Sequence, residues 1–165
     1  MGGLNDIQAA GNVVDTTYQD SAAHQLSQAV NNPCEVDTSI VETIESEGDP
    51  NAVSPKGAQG LMQIMEGGAL ADWNKDFPDT PYKMSQMKDP EINRSIGGWY
   101  MNTKIPTYIK NYGVEDSIKN RLIMYNAGPT AGVKIIRGEK EMSKETKDYI
   151  SKYFMHITPE EVESE

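Results

Sequence analysis

Apolar residues recur along the chain at three- and four-residue spacings, and strict alternation never lasts beyond a few positions, so the pattern predicts helices. Asn32-Pro33 offers a cap followed by a residue welcome in a first helical turn. Val36, Ile40, Val41 and Ile44 then form one stripe, ending near Glu45–Glu47 against Gly48 and Pro50. Asp89-Pro90 repeats the start signal, and Ile92, Ile96, Trp99, Tyr100 and Thr103 share a face until Pro106 interrupts. Ile118, Leu122, Ile123 and Tyr125 precede Asn126-Ala127-Gly128-Pro129, where glycine then proline makes a stop. Val133 and Ile136 predict a short helix closed by Gly138. A last helix from near Ser143 is expected to bury Tyr149, Ile150, Tyr153, Phe154 and Ile157 before Pro159. Lys75 to Asp89 lacks helical period and reads as a long surface loop. The division expected is an N-terminal helical or flexible extension at 1–31, a folded domain at 32–157 and an acidic tail at 158–165.

Composition narrows the classes. A chain of 165 residues with 37% hydrophobic and 24% charged positions supports one core and hardly a second. Fifteen Lys and Arg against twenty-five Asp and Glu leave a formal charge of -10, which disfavours nucleic acid as a partner. The single cysteine, Cys34, forms no internal disulfide and supports no zinc ribbon or iron–sulfur site. No apolar run suited to a membrane span occurs, and Met1 to Gly11 carries no export signal. A monomer is expected.

The densest local signal runs from Glu45 to Gln63. A helix carries an acid at its C-terminal end, and a turn-rich segment with Gly48, Asp49, Pro50, Asn51, Ser54, Pro55 and Gly57 doubles back. A second short helix is then expected to present Leu61, Met62, Ile64 and Met65. Such a hairpin sets Glu45 against apolar side chains. Desolvation and the helix dipole both disfavour its anion there, so its pKa should rise, as a general acid near neutral pH requires. On residue types alone, the same acid also reads as a solvated surface group.

Glu45-Ser46, Pro50, Ala52, Ser54, Gly57-Ala58 and Gly60-Leu61-Met62-Gln63 resemble, in order and spacing, the signature of the lytic transglycosylases related to goose-type lysozyme. Ile92-Asn93 with Gly97, Trp99 and Tyr100 is similar to that family's central helix. Met124-Tyr125-Asn126-Ala127-Gly128 resembles its Ala-Tyr-Asn-Ala-Gly segment, and Glu145-Thr146 with Tyr149 its closing helix. The resemblance covers about residues 33–155. It implies a mainly α, lysozyme-like single domain. It also implies Glu45 as catalytic acid, a cleft lined by Ser46, Met62, Gln63, Tyr125 and Asn126, and a Tyr149 hydroxyl that orients Glu45. Glu145 is expected to be an internal hydrogen-bonding or capping group. Departures at Gly48 and Met124 bear on subsite shape.

Two-carboxylate glycosidases hold their acids roughly 5–5.5 Å apart when retaining and roughly 6.5–9.5 Å apart when inverting. The resemblance supplies one. Glu47 lies about 200° around the helix from Glu45, and Asp49 falls in the turn. The resemblance therefore implies substrate assistance on peptidoglycan, with cleavage between N-acetylmuramic acid and N-acetylglucosamine, a 1,6-anhydromuramoyl product and no metal or organic cofactor. A hydrolytic muramidase, a murein endopeptidase and a non-catalytic peptidoglycan-binding or structural virion protein are the alternatives. A Cys–His peptidase would need Cys34 with His24 or His156, and a zinc peptidase three ligands where two isolated histidines stand. A compact catalytic domain of this kind reads as a phage lysin or virion-carried enzyme, acting in the host periplasm or cell wall.

Overall fold

The computed structural model describes residues 34–157. Seven α-helices, two π turns and one 3-10 turn make up its regular structure, and the only pairing of extended backbone among the described residues is two isolated bridges. The fold is mainly helical, as expected.

Helix α1 spans Thr38–Ser46 and starts later than Asn32-Pro33, a pair outside the described residues. Asp37 caps it instead. Its carboxylate accepts the Ser39 amide at 3.0 Å and the Ser39 hydroxyl at 2.5 Å. The stop falls where expected. Glu47 and Gly48 adopt consecutive left-handed conformations, φ 54° and 79°, which turn the chain back. Beyond them, residues 49–65 form no helix, contrary to the expectation for Leu61 to Met65. Turns carry the chain, with bridges Val53–Gln59 and Gln59–Ile64. Glycines at φ 90° (Gly57) and φ 81° (Gly60), and Gln63 at φ 52°, are incompatible with a helical run.

A π turn at Glu66–Leu70, broken at Gly68, leads into α2, Ala71–Asp76, an element the sequence pattern did not announce. The loop after it is tied down. Asn74 and Tyr82 exchange hydrogen bonds of 2.8 and 2.9 Å, the Trp73 indole donates to the Thr80 carbonyl, and a 3-10 turn at Met84–Gln86 delivers Met87 into the core.

Helix α3, Pro90–Trp99, begins at Asp89-Pro90 as read, with the Asp89 carboxylate accepting from the Glu91 and Ile92 amides. Pro106 does not end the helical path. A π turn at Tyr100–Lys104 carries it into α4, Ile105–Tyr112, with Pro106 in the first turn. The wider π turn relieves the clash of the proline ring with the carbonyl four residues earlier, and the missing amide is needed least at a segment start. Helix α5, Ile118–Ala127, is capped by Ser117 and stops at Gly128-Pro129; α6, Pro129–Ile136, is closed by Gly138 at φ 74°. Helix α7, Lys144–Ile157, buries Thr146, Tyr149 and Tyr153, but Phe154 and Ile157 are 39% and 40% exposed. Phe154 lies off the Tyr149–Tyr153 face, and Ile157, which continues that face one turn beyond Tyr153, is the last residue of the helix.

Helix α5 packs against α4, α6 and α7, and α1 against α7. One core joins Val41, Met62, Ile96, Met101, Ile105, Leu122, Met124 and Tyr153. Asn93 is the polar hub inside it. Its Oδ1 accepts the Met62 amide at 2.8 Å, while its Nδ2 donates to the carbonyls of Gln59 and Met87. A fully buried amide with every one of these bonds made fixes the 59–62 turn to α3.

Candidate active site

Glu45 lies in the last turn of α1 and borders a cleft of about 490 Å³. The remaining walls come from the 54–65 loop, the turn at 67–69, Tyr100, the α5–α6 junction at 125–129 and Glu145 near the start of α7. The glycine-built bend thus returns the chain opposite the helix end that carries the acid.

Burial is the main force on the Glu45 carboxyl, and it pushes the pKa from 4.5 up to about 7. The nearby Tyr149 hydroxyl acts the other way, and the negative charge of Glu145 raises the value further. Tyr149 is itself buried, and its hydroxyl stops short of a formed hydrogen bond. It is the one buried side-chain polar atom without a hydrogen-bond partner among the described residues. Burial, followed by the charge of Glu45, holds the Tyr149 and Tyr125 phenols well above the ordinary tyrosine value, so both remain neutral donors. The Tyr125 hydroxyl donates to the Met62 carbonyl at 2.6 Å, clamping α5 to the loop. Its ring centroid stands 5.8 Å from that of Tyr100.

Of the residues the sequence singled out, Glu45, Gln63, Tyr125 and Asn126 border the cleft together. The Gln63 side-chain amide donates to the carbonyls of Ala52 and Gly60, so its nitrogen holds the loop in shape. Asn126 Oδ1 accepts from the Thr146 hydroxyl at 2.7 Å, fixing the amide against α7. Two expectations are corrected. Ser46 is buried and donates its hydroxyl to the Glu42 carbonyl, one turn back in its own helix, so it does not face the cleft. Met62 is fully buried against Gly97, where even a Cβ would collide with its side chain, and it serves the core instead of the groove.

Glu145 also differs from its expected internal role. It is exposed and borders the cleft, so two carboxylates face this space. Glu47 and Asp49 are exposed outside it, Asp49 accepting the Asn51 amide. Lys56, Met65 and Tyr100 line the cleft as well. Lys56 stands inside the Ser54–Gly57 turn, the signal that marks it in the sequence. Met124 is buried beneath Gly132, whose missing side chain makes room for it, so this departure alters core packing and leaves the cleft surface alone.

His156 does not border the cleft, and His24 lies outside the described residues. Among the described residues no three His, Cys, Asp or Glu side chains are grouped to hold a metal, and no helix is long and apolar enough to cross a membrane. What the cleft offers is a carboxyl protonated near neutral pH, beside two neutral phenols and an anchored amide.

The sequence matches the family model of the transglycosylase SLT domain over residues 25–148, well over half the chain. Members of that family are lytic transglycosylases with a lysozyme-like fold that act on peptidoglycan, and this chain belongs to it.

Proposed function

We propose that the enzyme cleaves the β-1,4 bond between N-acetylmuramic acid and N-acetylglucosamine with Glu45 as both general acid and general base, leaving a 1,6-anhydromuramoyl end. The observation that carries this reading is the raised pKa of Glu45, about 7, at the edge of a cleft able to seat sugar rings. Such a carboxyl holds its proton at the pH where the reaction must begin.

Glu45 gives its proton to the glycosidic oxygen as the bond to C1 breaks, and the muramoyl N-acetyl oxygen stabilises the positive charge at C1. Glu45, now a carboxylate, takes the proton of the C6 hydroxyl, and O6 closes onto C1. The proton count balances and no water is consumed. Tyr149 orients the carboxylate once it forms, since its neutral hydroxyl is a donor placed to favour the anion. Gln63, Tyr125 and Asn126 contact the sugars. An enzyme with this chemistry works in the wall or periplasm, including when a phage particle delivers it.

Glu45→Gln keeps the shape and removes the transferable proton, so clearing of purified peptidoglycan is expected to slow by about a hundredfold or more. An unchanged rate rejects the assignment. Mass spectrometry of the muropeptides released by the native enzyme should show ends one water lighter than hydrolysed ones.

Glu145 at the cleft favours one second reading, hydrolysis, in which it would activate water opposite Glu45. That reading requires water-added reducing ends and their loss in Glu145→Gln. Anhydro ends that persist in Glu145→Gln dismiss it.

A further inference from the structure

A second cavity of about 290 Å³ opens beside the catalytic cleft and shares Lys56, Asn126, Ala127 and Glu145 with it. Its far side is formed by Ala131 and Ile135 of α6, by Lys140 and Glu141 in the turn after α6, and by Ser143 and Thr146 at the start of α7. Its volume is near the lower end of the range for small-ligand sites. Four charged side chains border it, two lysines and two glutamates, and none forms an ion pair with another protein group among the described residues. Arg94, Lys104 and Arg121, by contrast, are all paired with carboxylates.

A bare glycan backbone is neutral apart from its lactyl groups and gives such a cavity little to bind. A simple anion would satisfy the lysines and be repelled by Glu141 and Glu145. The matching chemistry is a short peptide that carries both carboxylates and an amine, with an apolar methyl or methylene for the Ala131–Ile135 side. Peptidoglycan carries such a peptide on every muramoyl unit that retains its stem, joined through the lactyl group next to the bond Glu45 is proposed to break.

We infer that this second cavity is a subsite for the peptide stem, with Lys56 and Lys140 meeting its carboxylates and Glu141 and Glu145 its amine. The inference rests on the peptidoglycan reading above and extends it to a substrate class, strands that retain their stems. Lys140 is the diagnostic residue, because it borders the second cavity and not the cleft.

The test separates binding from turnover. In the Glu45→Gln background, affinity is measured by calorimetry for a GlcNAc–MurNAc tetrapeptide and for the same disaccharide without peptide. The stem-bearing ligand should bind more tightly, and Lys140→Ala should reduce that preference about fivefold, the scale of one solvent-exposed charge pair. Lys140→Glu should reduce it further. With the native enzyme, the ratio of kcat/KM for stem-bearing over amidase-stripped strands should fall in the same variants. Equal affinity for both ligands, or a preference that survives Lys140→Glu, overturns the subsite. Failure of the catalytic reading would appear separately, as native enzyme that binds both ligands and releases no product from either.

Discussion

At the scale of single residues, the balance around Glu45 sets a pH profile. With Glu45 as the proposed acid, activity should be near full about a unit below pH 7, be halved near pH 7, and fall about tenfold for each unit well above it as the proton is lost. The Tyr149 hydroxyl lowers this pKa, so Tyr149→Phe removes an interaction that favours the anion. Its alkaline limb should therefore move to higher pH, read from kcat/KM against pH. Because that hydroxyl is buried without a hydrogen-bond partner, its removal should leave the unfolding midpoint unchanged or raised. A limb that does not move would make Tyr149 a packing residue only. The position of Glu45 against a cleft was legible in the sequence because a helix end followed by a glycine turn is a local pattern. The fates of Ser46 and Met62 were not. Both depend on where neighbouring elements pass: Ser46 bonds back to Glu42, and Met62 enters a hole that Gly97, thirty-five positions along the sequence, leaves for it.

At the scale of elements, punctuation was the readable part. Asp89-Pro90, Gly128-Pro129 and Gly138 mark boundaries because caps and left-handed turns are set by the residues themselves. Pro106 misled because a π turn admits proline where a regular α-helix does not, and α2 was hidden because its approach begins at Gly67-Gly68. The loop that faces Glu45 supplies a test of how much its glycines matter. Gly57 and Gly60 both sit at positive φ, so either alanine substitution incurs about 1–2 kcal/mol of backbone strain. At Gly57 a Cβ meets open space, whereas at Gly60 it collides with the Asn93 side-chain amide and the Met87 carbonyl, the heart of the polar hub. Gly57→Ala should lose little beyond the strain. Gly60→Ala should lose about 2–5 kcal/mol in urea unfolding, and with it the loop geometry and wall clearing. Equal losses at the two positions would show that the Asn93 hub yields without cost.

At the scale of the whole molecule, the formal charge of -10 works against the substrate, because peptidoglycan strands carry stem carboxylates, or a lactyl carboxylate where the stem is absent. The mean field repels an anionic wall, while Lys56 and Lys140 present cations at the cavity proposed above for the stem, beside Glu141 and Glu145. These two effects respond differently to salt. Long-range repulsion acts over the Debye length, about 30 Å at 0.01 M and about 8 Å at 0.15 M ionic strength, whereas two charges in direct contact lie well within even the shorter length. Added salt should therefore ease approach faster than it weakens local pairing. The initial rate of clearing intact walls is expected to rise roughly twofold to tenfold over that range, a modest share of the range known for electrostatic steering. On a short soluble muropeptide, which carries few charges, the dependence should be much shallower. A clearing rate that falls steadily with salt would mean instead that the lysine-bearing surface dominates encounter, and in that case Lys140→Glu should flatten the fall.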